Sequence, residues 1–160
     1  MMRIFPLSAA LALAGCGLSP VYQGGAAGPV ATTLATIEVG PIPDKAGWLV
    51  RNALVDRLGG GGASSRYKLE VELDDQVTAF GIRRDTAATR ERRTLRARYR
   101  LVERSNGQVV LDATAGADAG IDVVSSQYAT VAAEQTALER LSQGLADQIS
   151  ARLAQFARAR

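Results

Sequence analysis

Histidine is absent from this 160-residue chain, and cysteine occurs once, at Cys16. Without histidine, the chain cannot build Ser-His-Asp or Cys-His nucleophile systems or any histidine-ligated metal site. A single cysteine forms no intrachain disulfide and no thiolate cluster for zinc. The glycine run at residues 59–62 lacks the Lys-Ser/Thr pair of a phosphate-binding loop. We therefore predict no enzymatic activity, no metal and no cofactor.

Aromatic residues and lysine are also scarce. Aromatics make up 5% of the chain, so the core must be built mainly from Leu, Val, Ile and Ala. Because lysine occurs only twice, the positive charge is almost entirely guanidinium, and nine of the 17 arginines lie between residues 83 and 104. Arginine is suited to bidentate recognition of phosphate and carboxylate, so a nucleic-acid ligand is the first hypothesis.

The N-terminus argues against that hypothesis. Arg3 is followed by an apolar run, residues 4–14, that is too short to span a bilayer, as in a signal peptide. The run ends in Leu-Ala-Gly-Cys16, which resembles the bacterial lipobox, in which the cysteine is diacylated. An ordinary signal peptide with an incidental cysteine is the alternative. We predict a lipoprotein signal peptide at residues 1–15 and a lipidated Cys16 whose acyl chains anchor the protein to a membrane.

The residues after the anchor indicate the compartment. In bacterial lipoproteins, an aspartate directly after the lipidated cysteine typically retains the protein in the inner membrane. This chain has Gly17 at that position, so we expect it to be anchored on the periplasmic side of the outer membrane. Glycine and proline predict a flexible tether at residues 16–31, followed by a single domain at residues 32–160. An exported protein meets little nucleic acid, so we expect an anionic lipid as the polyanion instead.

Hydrophobic periodicity gives the order of elements as β-α-β-β-β-α. Strands are predicted at residues 33–39, 66–82, 90–101 and 109–119, with a turn at 85–89 and a connection at 118–124. Helices are predicted at 45–58, capped by Asp44, and from Ser125 or Ser126 to about Phe156. The apolar stripe of the second helix is Val131, Leu138, Leu141, Leu145, Ile149, Leu153 and Phe156. Because each strand has one apolar face, we predict an α+β two-layer sandwich: a four-stranded sheet with two helices on one face.

The turn before the last strand sets the register. A three-residue loop at 105–107, with Gly107 left-handed in a G1 bulge, pairs Leu101 with Leu111 and Arg100 with Asp112. A two-residue Asn-Gly loop would instead place Asp112 opposite the apolar Leu101. We therefore prefer the three-residue loop.

The uncovered sheet face then divides the arginines into two groups. Arg96, Arg98 and Arg100 lie between strands that carry acids, so we expect cross-strand pairing, including an Arg100–Asp112 pair. The remaining arginines gather near the hairpin end and lack such partners in the pattern. They form either a solvated tip or an anionic-lipid clamp: Arg83, Arg84, Arg90, Arg92 and Arg93.

Four segments resemble the alphaproteobacterial branch of the lipopolysaccharide-assembly lipoproteins LptE. They are Cys16-Gly-Leu-Ser-Pro-Val-Tyr, residues 47–58 (Gly-Trp-Leu-Val-Arg-Asn-Ala-Leu-Val-Asp-Arg-Leu), residues 128–135 (Tyr-Ala-Thr-Val-Ala-Ala-Glu-Gln) and residues 146–153 (Ala-Asp-Gln-Ile-Ser-Ala-Arg-Leu). The resemblance implies a non-enzymatic outer-membrane lipoprotein that plugs and helps assemble the β-barrel LptD and binds lipopolysaccharide during its export. The alternative is a lipoprotein accessory subunit of a periplasm-spanning ABC-type lipid transport system.

Overall fold

The computed structural model describes residues 28–62, 65–82 and 88–159. Within these ranges the chain forms three helices and four strands: α1 (Pro29–Leu34), β1 (Ile37–Val39), α2 (Asp44–Leu58), β2 (Tyr67–Ile82), β3 (Ala88–Glu103), β4 (Val109–Asp122) and α3 (Gln127–Arg158). The strands form one sheet in the order β1-β2-β3-β4. This arrangement confirms the predicted α+β class with a four-stranded sheet.

The sheet has one covered face. β1 and β2 are parallel and α2 is the crossover between them, whereas the pairs β2–β3 and β3–β4 are antiparallel. The helices α2 and α3 pack together over the same apolar face of the sheet. The core that they share with the strands includes Val50, Leu54, Leu69, Leu95, Leu101, Leu145, Ile149 and Leu153, all fully buried. Side chains on the opposite sheet face are largely exposed among the described residues.

The first predicted strand is wrong in its N-terminal half. Residues 29–34 form α1, with Pro29 in its first turn, and only Ile37–Val39 form a strand. Val30 and Leu34 are four residues apart, so both lie on one face of α1 and are buried in the core. Residues 29–31, which we assigned to the tether, are therefore packed. The predicted capping role of Asp44 is also wrong, because Pro43 occupies the N-cap position.

The β2–β3 hairpin is the longest feature of the sheet, with 16 residues in each strand. Its register places Leu69 opposite Leu101 and Glu72 opposite Arg98. The predicted turn falls mostly on residues 83–87, which lie outside the described residues, as do Arg83 and Arg84.

The β3–β4 register is as predicted, with Leu101 opposite Leu111 and Arg100 opposite Asp112. The predicted three-residue loop is wrong. The amide of Glu103 donates to the carbonyl of Gln108 (2.8 Å), which closes a longer loop in which Gly107 has a φ of 71°. The register shifts by one residue between Leu101 and Val102, and this shift restores the predicted pairing.

The C-terminal part of the chain differs from prediction at the end of β4 and at one position of α3. β4 continues to Asp122, so most of the predicted connection is strand, and Ile121 is buried. α3 begins after Ser126, whose hydroxyl accepts a hydrogen bond from the amide of Ala129, as predicted for a cap. Val131, which we placed in the buried stripe, is 55% exposed. Phe156 packs edge-to-face on Tyr67, with ring centroids 5.9 Å apart.

Candidate functional site

The uncovered face of β3 carries a line of basic side chains. Alternation places Leu95, Ala97, Tyr99 and Leu101 in the core and their neighbours on the opposite face. The residues on that outer face are Arg90, Arg92, Thr94, Arg96, Arg98 and Arg100. We call this set the outer arginine row. It is flanked by the outward residues of β2 and β4, so its local charge depends on which acids those strands supply.

Acids neutralise the half of the row nearest the β3–β4 loop. Arg98 pairs with Asp112 at 2.8 Å, and its guanidinium holds the pKa of Asp112 below the ordinary value. Arg100 pairs with Glu72 at 3.3 Å and with Glu70 at 3.5 Å. The predicted Arg100–Asp112 ion pair is therefore wrong. The two residues are cross-strand neighbours, but the guanidinium of Arg100 turns to β2 and Asp112 is bound diagonally by Arg98.

The other half of the row has fewer partners. Arg90 pairs with Asp122 at 3.1 Å, which contradicts the expectation that it lacks an acid. Arg92 lies over the ring of Phe80, 5.5 Å from the centroid. Arg96 forms no ion pair with any residue that the structure describes. Sequence reasoning missed Arg96, because it expected Arg96, Arg98 and Arg100 alike to pair with acids on the neighbouring strands.

Arg93 is separate from this row because its side chain points to the helix side of the sheet. Two of its nitrogens donate to the carboxylate of Asp75, at 2.9 and 2.5 Å, and a third donates to the backbone carbonyl of Glu134 on α3 at 3.2 Å. The hydrogen bonds to Asp75 raise the pKa of Arg93, although its partial burial opposes them. Only 14% of the side chain is exposed. The structure therefore places Arg93 away from Arg90 and Arg92.

A shallow trough of about 740 Å³ lies beside Arg96. Asp74, Thr94 and Asp118 are among its polar lining residues. Gly116, directly opposite Arg96 on β4, contributes only backbone to the trough wall. The trough combines the guanidinium of Arg96, which binds no described carboxylate, with three carboxylates, a second guanidinium and two hydroxyls: Glu72, Asp74, Asp118, Arg98, Thr94 and Thr114. Guanidinium groups can bind anions, and the carboxylates and hydroxyls can bind sugar hydroxyls.

Other kinds of site find no support in the part of the chain that the structure describes. It contains no group of three or more Cys, Asp or Glu side chains placed to hold a metal ion. No helix among the described residues is both long enough and apolar enough to cross a membrane. The predicted lipid anchor, Cys16, lies outside the described residues.

Comparison with known proteins decides the family. The family model described as LptE, lipopolysaccharide-assembly, matches residues 34–153. The chain belongs to the LptE family. The match includes all of α2 and most of α3, where three of the four segments that carry the sequence resemblance lie. Family membership places the chain in lipopolysaccharide assembly.

Solved structures agree with the LptE fold. A lipoprotein candidate from Caulobacter crescentus CB15 superposes with a TM-score of 0.69 at 25% identity, over 83% of this chain and 100% of that one. A minor lipoprotein from Acinetobacter baumannii gives 0.61 at 16% identity, over 74% of this chain and 89% of that one. The rare lipoprotein B from Shewanella oneidensis gives 0.56 at 10% identity, over 75% and 92%. A comparison with curated protein sequences gave no significant match.

Proposed function

We propose that this LptE-family chain is a lipoprotein of the outer membrane, anchored on the periplasmic side by acyl chains on Cys16. In this role it plugs and helps assemble an LptD-like β-barrel and binds lipopolysaccharide on its way to the outer leaflet. The role is non-enzymatic. The family match over residues 34–153 is the observation that carries the proposal. The lipobox before residue 17 supports the anchor.

The charge of the sheet supports the lipopolysaccharide part of the proposal. Lipopolysaccharide presents phosphates, and guanidinium groups bind phosphate through charge-assisted hydrogen bonds. The outer arginine row is exposed on a face that neither α2 nor α3 covers. A ligand or a barrel wall can therefore approach this face without displacing any described element.

Co-purification tests the partner. The full chain, tagged at its C-terminus, is expressed in its native envelope and recovered from detergent-solubilised outer membranes. We expect a large β-barrel protein to co-purify in stoichiometric amount, and the Cys16→Ser variant to be lost from the membrane fraction. Recovery as a monomer without a barrel partner would refute the plug role. Recovery with the subunits of an ABC transporter would favour the alternative function.

Binding assays test the arginines nearest the hairpin end. In the variant with Arg83, Arg84, Arg90 and Arg92 all replaced by alanine, we expect weaker binding of purified lipopolysaccharide and unchanged circular dichroism. A control variant removes four exposed cations elsewhere: Lys45, Arg51, Arg140 and Arg152. Equal loss in both variants would show a nonspecific effect of net charge. Unchanged lipopolysaccharide binding in the first variant would refute the proposed anionic-lipid clamp at the hairpin end. Arg93 is left intact, because its contacts with Asp75 and α3 make it part of the fold.

A further inference from the structure

The residues of β4 that lie opposite the outer arginine row include both acids and glycines. Asp112 and Asp122 lie opposite Arg100 and Arg90, and each carboxylate binds an arginine of the row. In contrast, Gly116 lies opposite Arg96 and Gly120 lies opposite Arg92. β4 therefore supplies acids to some arginines of the row but has no side chain directly opposite Arg92 or Arg96. Asp118, which lies diagonally from both, forms no ion pair with either of them.

β2 does not neutralise these two arginines either. Arg92 faces Thr78 on β2, and its guanidinium lies over Phe80. Stacking uses the face of a guanidinium and leaves the N–H groups at its edge free to donate. Arg96 faces Asp74, but the amide of Gln76 donates to both oxygens of that carboxylate at 3.1 Å. Both guanidiniums therefore keep donors that no described carboxylate accepts.

Backbone geometry does not explain the two glycines. Neither Gly116 nor Gly120 has a positive φ, so an L side chain could adopt both backbone conformations. A Cβ at Gly120 would meet nothing within 4 Å, and one at Gly116 would come 3.4 Å from the Cγ of Arg96. Glycine in a strand interior costs stability and can mark a place where a ligand approaches the backbone. Gly120 therefore leaves open space beside Arg92, and Gly116 lets the stem of Arg96 lie directly against the backbone of β4. No described carboxylate binds either guanidinium.

The geometry points to Arg92 and Arg96 as a paired site for a glycolipid head group that carries two phosphates. The two residues are four positions apart on one strand face, or about 13 Å at roughly 3.3 Å per residue. Thr94 lies between them, with Asp118 opposite it on β4. Its hydroxyl and the carboxylate of Asp118 are placed to bind sugar hydroxyls between the phosphates. The site rests on the proposed binding of lipopolysaccharide and adds Arg96 to it.

The test introduces a carboxylate at each of the two glycine positions of β4. In Gly116→Asp and Gly120→Asp, a carboxylate would stand opposite Arg96 or Arg92, as Asp122 stands opposite Arg90 and binds it. We expect each variant to bind bisphosphorylated lipid A about tenfold more weakly than the wild type, since one charge-assisted phosphate contact is lost. The matched control is Gly144→Asp, which makes the same charge change in α3 where a Cβ meets nothing within 4 Å. Wild-type affinity in both β4 variants, or an equal loss in the control, would overturn the site.

A second pair of variants guards against misfolding of the glycine variants. Arg96→Gln removes an unpaired guanidinium, whereas Arg100→Gln removes one that is bound by Glu70 and Glu72. We expect Arg96→Gln to weaken binding of bisphosphorylated lipid A about tenfold and Arg100→Gln to weaken it by less than threefold. Equal effects of the two variants would contradict the pairing argument. Monophosphoryl lipid A should bind the wild type more weakly than bisphosphorylated lipid A does. Its affinity should also fall by a smaller factor in either glycine variant.

A soluble probe separates this site from the proposed function. A bisphosphorylated disaccharide without acyl chains is titrated into the wild-type protein, and the side-chain Nε–Hε signals of arginine are followed by NMR. We expect shifts at Arg92 and Arg96 and none at Arg100. Shifts at these two residues without any binding of lipopolysaccharide would retain the site and refute the proposed ligand. Binding of lipopolysaccharide without these shifts would retain the function and refute the site.

Discussion

The ion pair between Arg93 and Asp75 offers a quantitative test of why the arginines differ. The side chains of Arg93 and Asp75 are 14% and 24% exposed, and the guanidinium donates a further hydrogen bond to the backbone carbonyl of Glu134. Two unit charges about 4 Å apart attract by roughly 4 kcal/mol at an effective dielectric constant near 20. Desolvation of both groups offsets part of this attraction. We expect a net coupling free energy of about 1.5–3 kcal/mol.

A double-mutant cycle measures this coupling. Arg93→Met keeps much of the apolar stem, Asp75→Asn keeps the shape, and urea unfolding of the purified protein followed by circular dichroism gives the free energy of unfolding for all four forms. The reference cycle uses Arg98 and Asp112, which pair through the same groups on the exposed face. We expect a coupling there that is close to experimental error, because solvent screens the pair.

The coupling free energies from the two cycles are then compared to test whether burial strengthens the Arg93–Asp75 pair. A coupling below about 0.5 kcal/mol for Arg93 and Asp75 would refute the argument from burial. So would equal coupling in the two cycles. Arg93→Met should also bind lipopolysaccharide like the wild type in its folded form, which would separate a structural arginine from a ligand-binding one.

Two further predictions concern the core and its response to pH. Gly47→Ala should destabilise the protein by about 1–3 kcal/mol in urea unfolding, because its Cβ would lie 2.6 Å from the carbonyl oxygen of Ile42. The same change at Gly144, where the space is open, should stabilise the fold or leave it unchanged, and the reverse order would contradict the packing argument. Burial, followed by contact with Glu134, raises the pKa of Glu91, so its contribution to stability is present at low pH and is lost as pH rises through that pKa. The wild type should therefore lose stability relative to Glu91→Gln as the pH rises above the ordinary pKa of a glutamate carboxyl. Parallel curves of unfolding free energy against pH for the two proteins would show that Glu91 is not the group responsible.

Strong local patterns made most of the fold predictable. The alternation in β2 and β3, the helical spacing in α2 and α3, and a cap at Ser125 or Ser126 depend on neighbouring residues only, so single-sequence reasoning identified them; the structure selects Ser126 as the cap. The errors arose where local signals competed. Pro29 and the Val30–Leu34 spacing predict a helix, but the alternation of residues 35–39 masked it. The β3–β4 loop was wrong because a shift between Leu101 and Val102 gives the same register with a longer loop.

The candidate site was less predictable, because an ion pair depends on groups that are distant in sequence. Residue parity already placed Arg93 with Leu95 on the helix side, yet the arginine-rich composition grouped it with Arg90 and Arg92. Its partner Asp75 is 18 residues away, and their contact required the hairpin register. Arg96 was expected to pair because acids alternate along the neighbouring strands. In the structure Asp74 lies opposite Arg96, but its carboxylate accepts hydrogen bonds from the side-chain amide of Gln76 instead.

The sequence by itself determined the family, the class of fold and the face of the sheet on which each arginine lies. The family followed from the resemblance of four segments to known lipoproteins. The fold class and the sheet faces followed from hydrophobic period and residue parity, which are properties of neighbouring residues. Tertiary structure alone decided which guanidiniums are neutralised. An arginine side chain is long enough to choose between two strands, and that choice depends on the register, on competing partners and on the space beside it. Glycines at positions 116 and 120 are visible in the sequence, but only the assembled sheet places them opposite Arg96 and Arg92.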